Sequence, residues 1–224
     1  MKLVFFNLRE DEKSALESWK NAHPEVEIDV YTEELTSANK HLLEGKEGVV
    51  LAQNKPFEHD VYEYAKEQGV KVFATRSAGF DIYDLELMSE LGIKMTNVPS
   101  YSPNAIAEHV LTSALSISRN TNKIQRNLEK HNFSWNPGIL SRELRTLTVG
   151  VIGTGRIGTQ AARLFSALGS KVLGYDVYQN EAAKEVLDYV ENLDDLIANS
   201  DIITIHMPAI KEYNHMVNDE FLAK

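Results

Sequence analysis

Near the middle of the chain, Gly153-Thr154-Gly155-Arg156-Ile157-Gly158 places glycines at the first, third and sixth positions of six. The run Leu147-Thr148-Val149-Gly150-Val151-Ile152 before it reads as a buried strand, and residues 156–168 after it as an amphipathic helix. In that setting each glycine has its own task. Gly153 permits a tight turn off the strand, Gly155 lets the backbone approach a diphosphate, and Gly158 lets the helix pack closely on the strand. The start of the helix, with Arg156 and Ile157, offers N–H groups and the positive dipole end to the anion. Asp176 follows Gly158 by 18 residues, at the end of the next strand. A carboxylate there accepts from an adenosine ribose and repels a 2′-phosphate, which points to NAD rather than NADP. Two other readings use similar parts: a glycine-rich turn in an unrelated α/β protein, and a methyltransferase that binds S-adenosylmethionine. Five strands ahead of the motif weigh against the second.

Those five strands are expected at residues 2–7, 26–31, 48–52, 71–75 and 94–98, with helices near 11–21, 36–43, 59–68 and 82–91 between them. Gly69 and Gly92 stand where left-handed helix stops are wanted. Continuous apolar strands alternating with helices predict a parallel sheet covered on both faces. The run Val98-Pro99-Ser100-Tyr101-Ser102-Pro103 then interrupts any strand or helix interior, with Ser102 suited to an N-cap and Pro103 to a first turn. One long helix is expected over 104–128. The glycine motif opens a second strand–helix series, with strands at 147–152, 171–175 and 202–206, and a shorter one at 189–190. Helices are expected near 181–187 and over 193–198, the latter capped by Asn192. The boundary falls near Tyr101, giving domains 1–100 and 101–224. The second series holds three clear strands where a full dinucleotide domain has about six, so that domain reads as incomplete at its C-terminus.

Composition limits the remaining choices. The 224 residues carry a net charge of −10, against a general nucleic-acid partner, which needs clustered Lys and Arg. No stretch approaches the ~18 apolar residues of a membrane span. With no cysteine, disulfide and thiolate chemistry are excluded, and a cytoplasmic location is expected.

Val149 to Gly158 with Tyr175-Asp176 resembles the nucleotide-binding signature of the D-isomer-specific 2-hydroxyacid dehydrogenases. A second block, Leu196 to Pro208, is similar to the family's next signature, whose strand ends in a His-x-Pro turn lining the cofactor; this implies cofactor contacts for His206, Met207 and Pro208. Asn214-His215-Met216-Val217-Asn218 also resembles the family, whereas Tyr213 stands where it usually has a small polar residue. Arg76-Ser77-Ala78-Gly79-Phe80-Asp81 resembles the loop whose backbone N–H groups meet the substrate carboxylate, implying Ser77, Ala78 and Gly79. Read alone, that stretch is a βα loop in which Gly79 and Asp81 serve turn and cap. Val98 to His109 resembles the family's interdomain crossover, especially that of its D-lactate dehydrogenase branch, and there Tyr101 is implied to reach the substrate.

The resemblance implies a flavodoxin-like N-terminal substrate domain and a Rossmann NAD-binding domain. It further implies a homodimer formed through the latter, a small 2-keto or 2-hydroxy acid as substrate, and hydride transfer with NAD. The family's arginine, histidine and glutamate for that chemistry are expected beyond Lys224, so no catalytic residue is assigned within 1–224. Glu108 and His109 point about 100° apart on a helix and form no pair, and His206 suits a structural or cofactor-lining role. No metal-ligand spacing stands out. The chain alone is expected to be inactive, and marginally stable or associated through exposed apolar surface. The alternatives are a noncatalytic NAD(H)-sensing protein of the same fold, and a sibling dehydrogenase for phosphoglycerate, glycerate or formate.

Overall fold

The computed structural model describes residues 1–224, with Lys211 described by its backbone alone. The chain divides into two compact units, Met1–Tyr101 and Ser102–Lys224.

In the first unit β1 (Lys2–Phe5), β2 (Glu27–Val30), β3 (Gly48–Leu51), β4 (Val72–Thr75) and β5 (Lys94–Thr96) form one parallel sheet in the order β2-β1-β3-β4-β5. This is the flavodoxin-like order. The helices are α1 (Lys13–Ala22), α2 (His59–Glu67) and α3 (Leu85–Leu91). Val4, Phe6, Val49, Leu51 and Phe73 from the sheet region meet Val61, Tyr62, Ala65 and Met88 from α2 and α3 in the core. Gly69 and Gly92 sit at φ of 82° and 70°, the left-handed stops that end α2 and α3.

Two expectations in this unit are corrected. Residues 36–43 form only a short 3-10 turn, Lys40–Leu43, because the Asn39 side chain bonds back to Thr36 and Glu34 and competes with a helix. The helix expected from 82 starts at Leu85, because Asp84 accepts the Leu87 N–H and so fixes the N-cap.

In the second unit β6 (Thr148–Ile152), β7 (Lys171–Tyr175), β8 (Asp188–Tyr189) and β9 (Ile202–Ile205) are parallel, in the order β8-β7-β6-β9. Val149 and Val151 of β6 face a core with Ala162 and Phe165 of α6 (Arg156–Ala167), against which α4 (Pro103–Ser118) also packs. Ile152 faces the opposite core with Leu196 and Ile197 of α7 (Leu193–Ala198) and Phe221 of α8 (Asp219–Leu222). A side chain at Gly150 would meet Leu196 and Ser200 at 2.4 Å, so a glycine lets α7 lie flat on β6.

The single long helix expected over 104–128 is two helices, α4 and α5 (Thr121–Glu129), broken where Asn120 turns left-handed at φ 54°. Asn120 donates its side-chain amide to the Leu140 carbonyl, which rewards that conformation. The helix expected at 181–187 is reduced to a 3-10 turn, Glu181–Ala183, its N-terminus capped by Asn180.

Candidate dinucleotide and carboxylate sites

From β6 the chain steps outward to β7 and β8 and then crosses back to β9 on the other side of β6, so the strand order reverses between β6 and β9; the crevice at such a switch point is where α/β sheets bind ligands. The glycine turn occupies that crevice. Gly153 has φ 88°, and a Cβ on it would stand 2.8 Å from the His206 carbonyl carbon and 2.9 Å from the Met207 nitrogen. The chain leaving β9 therefore runs directly over the turn, and His206 N–H donates to Ile152 at 2.7 Å. Gly158 is closer still to its neighbour: a Cβ there would be 1.9 Å from the Gly153 carbonyl oxygen.

Gly155 differs from both. It is exposed, and a Cβ on it would meet nothing within 4 Å. It is the N-cap of α6, whose first hydrogen bond runs from Thr159 N–H to Gly155 at 2.9 Å. The amides of Ile157 and Gly158 thus precede the first intrahelical bond. Open space in front of a helix N-terminus that a glycine leaves bare is what a diphosphate requires, and the turn fits that group.

Asp176 ends β7 beside the turn. Its Oδ2 accepts Thr154 N–H at 2.6 Å and the Thr154 hydroxyl at 3.2 Å, and its Oδ1 accepts Tyr178 N–H at 3.0 Å. A carboxylate has about four acceptor positions. Three are filled, so the one left among the described residues is on Oδ1.

Nine residues expected at the cofactor, Gly153, Gly155, Arg156, Ile157, Gly158, Asp176, His206, Met207 and Pro208, gather at the C-terminal ends of β6, β7 and β9. Burial holds the His206 imidazole below its ordinary pKa, and its Nε2 lies 3.0 Å from the Thr204 hydroxyl, so the ring is neutral at pH 7. Met207 and Pro208 line a cavity of about 560 Å³ with Tyr213, Asn214 and Met216.

In the first unit the loop after β4 holds Ser77, Ala78 and Gly79. All three of their carbonyls are engaged: Ser77 accepts from Val98 N–H at 3.0 Å, Ala78 from the Asn97 side chain at 2.8 Å, and Gly79 from the Ser77 hydroxyl at 2.7 Å. Their three N–H groups have no acceptor among the described residues. The loop therefore presents a row of donors held in place from behind, suited to an anion. Asp81 is not a helix cap; Asp84 has that role. Tyr101 is 80% exposed. The Arg9 pKa is raised, first by the hydrogen bond to Asp11, then by Glu12, with Tyr101 a minor contributor.

Sequence reading missed several residues. Arg76 anchors the loop by a bidentate pair with Glu12 at 2.9 and 3.0 Å, donates to the Phe6 and Asn7 carbonyls, and lies over the Phe5 ring. Thr154, Asn180 and Tyr189 form a network behind Asp176. Tyr189 carries no motif; only its place on β8, paired beside Gly174 of β7, brings it there. Among the described residues no group of three or more His, Asp or Glu could hold a metal ion, and no helix is long and apolar enough to cross a membrane.

A parallel sheet with a glycine turn at its switch point and an acid ending the next strand defines a Rossmann dinucleotide-binding domain. Residues 111–224 match the family described as D-isomer specific 2-hydroxyacid dehydrogenase, NAD binding domain. The chain is 49% identical over all its residues to a D-lactate dehydrogenase of Treponema pallidum, covering 67% of that protein. It is 38% identical to a D-2-hydroxyacid dehydrogenase (NAD(+)) of Clostridioides difficile, covering 100% of this chain and 68% of the relative. Among solved structures, a D-lactate dehydrogenase of Aquifex aeolicus complexed with NAD and lactic acid superposes with a TM-score of 0.89 at 33% identity, covering 99% of this chain and 65% of that one. The chain belongs to the D-isomer-specific 2-hydroxyacid dehydrogenases, spans about two thirds of the length of these relatives, and uses NAD.

Proposed function

We propose that the chain serves the NAD-dependent interconversion of a small 2-keto acid and its D-2-hydroxy acid, with pyruvate and D-lactate as the pair. The observation that carries the substrate class is the loop of Ser77, Ala78 and Gly79, whose carbonyls are tied while their amides stand open. Such a row suits a carboxylate, and the exposed Tyr101 is the residue that the family resemblance assigns to the same substrate. Relatives named D-lactate dehydrogenase favour the pyruvate and D-lactate pair within the class.

NAD, when bound, supplies or accepts the hydride. Gly153, Gly155 and Gly158 shape the turn for its diphosphate, Arg156 and Ile157 open the helix that faces it, and Asp176 takes the adenosine ribose. His206, Met207 and Pro208 wall the site from the β9 side. Polarising the keto group and moving its proton require a cation and an acid. We assign neither to residues 1–224, because His206 is held neutral by burial and paired with Thr204.

The protein works in the cytoplasm as a homodimer joined through its nucleotide-binding unit, without nucleic-acid or membrane partners. Supporting the dimer, Ile117, Phe133, Trp135 and Leu140 of that unit are 79%, 78%, 71% and 62% exposed.

Titrating pyruvate into the ¹⁵N-labelled chain while following the amide signals of Ser77, Ala78 and Gly79 tests the substrate assignment. Saturable shifts confined to these amides are expected, weakened about three- to tenfold by Asn97→Ala, which frees the Ala78 carbonyl. Silence of all three amides at saturating pyruvate would refute it.

A further inference from the structure

Every polar group of Thr154, the residue between the first two glycines, is engaged by the protein itself. Its side chain is fully buried. Its N–H goes to Asp176, and its carbonyl accepts from the Asn180 side chain at 3.2 Å and from the Thr159 hydroxyl at 2.8 Å. Its hydroxyl lies 3.2 Å from Asp176 Oδ2 and 2.5 Å from the Tyr189 hydroxyl. Asn180 N–H in turn donates to the Tyr189 oxygen at 2.8 Å.

The directions of these bonds follow from counting protons. The Asp176 carboxylate only accepts, so the single proton of the Thr154 hydroxyl goes to it. Tyr189 must therefore be the donor to Thr154, and it accepts in turn from Asn180. The chain runs one way: Asn180 N–H, Tyr189 hydroxyl, Thr154 hydroxyl, Asp176 Oδ2. Bonds aligned head to tail polarise one another, and this series ends on a charge. It fills Oδ2 and leaves Oδ1 to meet the ribose.

We propose that Tyr189 is a positioning residue for cofactor choice: through Thr154 it holds Asp176 with Oδ2 turned inward and Oδ1 toward the adenosine ribose. The inference rests on NAD as the ligand of the glycine turn. Without the Tyr189 hydroxyl, Asn180 N–H loses its acceptor and Thr154 its donor. Asp176 is then freer to rotate, which weakens its grip on a ribose diol and relaxes its repulsion of a 2′-phosphate.

The test is calorimetric titration of NADH and of NADPH into the full 224-residue chain and its Tyr189→Phe, Thr154→Val and Thr154→Ser variants. Tyr189→Phe should weaken NADH about three- to tenfold, the size of one neutral hydrogen bond, while NADPH binding holds or improves. The NADH preference should narrow at least threefold. Thr154→Val should narrow it similarly, Thr154→Ser should retain it, and Tyr189→Phe combined with Thr154→Val should be no worse than the weaker single variant. Equal weakening of both cofactors would show a loop-stabilising role and overturn the proposal, as would an unchanged preference. A wild-type chain that binds neither cofactor would overturn the NAD reading, and the proposal with it.

Discussion

A Cβ on Gly158 would lie 1.9 Å from the carbonyl oxygen of Gly153, so the first and last glycines of the motif are in contact, main chain to main chain. The oxygen that a Cβ would strike belongs to the backbone, not to a side chain that could swing away. Gly155, between them, faces open space. Gly158→Ala should therefore destabilise the second unit by about 3 kcal/mol or more through overpacking, visible as a melting temperature lowered by roughly 6 °C or more. Gly155→Ala should melt like the wild type yet bind NADH at least tenfold more weakly, because its methyl group enters the diphosphate's place. Thermal melts and NADH titrations of the two variants check this; a Gly158→Ala protein that melts normally would contradict the packing.

Asp176 combines two tasks, since Oδ2 holds the Thr154 N–H and Oδ1 remains for the ribose. Asp176→Ser removes the charge that repels a 2′-phosphate and the longer reach to the sugar. The preference for NADH over NADPH should narrow by about tenfold, one unit of 1.4 kcal/mol, measured as a ratio of dissociation constants. An unchanged ratio would mean that Asp176 does not face the ribose.

The parts of the fold that were legible in the sequence are those set by local rules. The period of apolar residues marks β1 to β7 and β9, and the glycines at 69, 92 and 153 mark backbone that must turn left-handed. The cap residues Ser102 and Asn192 were readable for the same reason, since each accepts from the N–H three residues on. The errors lie where a side chain competes with the helix. Asn39 and Asn120 each divert the backbone by bonding to a carbonyl far from the helical register, and no periodicity reveals which carbonyl will be near.

The site divides in the same manner. Gly153, Gly155, Gly158 and Asp176 form a linear pattern along one strand–helix–strand unit. Tyr189 and Asn180 reach Thr154 only because β8 pairs with β7, and Arg76 meets Glu12 across 64 residues. Pairings of that kind depend on strand order, which the chain expresses only once folded.

Arg76 and Glu12 are both mostly buried, with side chains 18% exposed. Burial raises the Glu12 pKa, but the hydrogen bonds from Arg76 and from Arg9 N–H outweigh it, and the net shift is downward. A lowered carboxylate pKa contributes stability that is present above its ordinary value near 4.5 and is lost as pH falls through the folded value. Glu12→Gln leaves a largely buried guanidinium without its counter-charge and should cost about 2–4 kcal/mol near pH 7, somewhat below a fully buried pair. The loss should shrink as pH drops below 4.5, because the wild type gives up the same interaction there. Urea unfolding at pH 7 and at pH 3.5 measures both arms; a loss that stayed constant with pH would separate the effect from the ion pair.

The apolar residues of the segment after α4 present the remaining question of association. Ile117 is 79% exposed at the end of α4, and Phe133 and Trp135 follow at 78% and 71%. Large side chains exposed this far, clustered within some twenty residues, are more than the scattered surface apolars of a monomer require. If they form the dimer face, burying two such side chains from each copy contributes roughly 2 kcal/mol per side chain. Ile117→Asp with Trp135→Ser should then shift the chain from dimer to monomer in sedimentation equilibrium at micromolar concentration. NADH binding should be retained, because Gly153 donates to Tyr175 and Asp176 accepts from Thr154, neither of them a substituted residue. A wild-type chain that sediments as a monomer, or a variant that remains a dimer, would place the interface elsewhere.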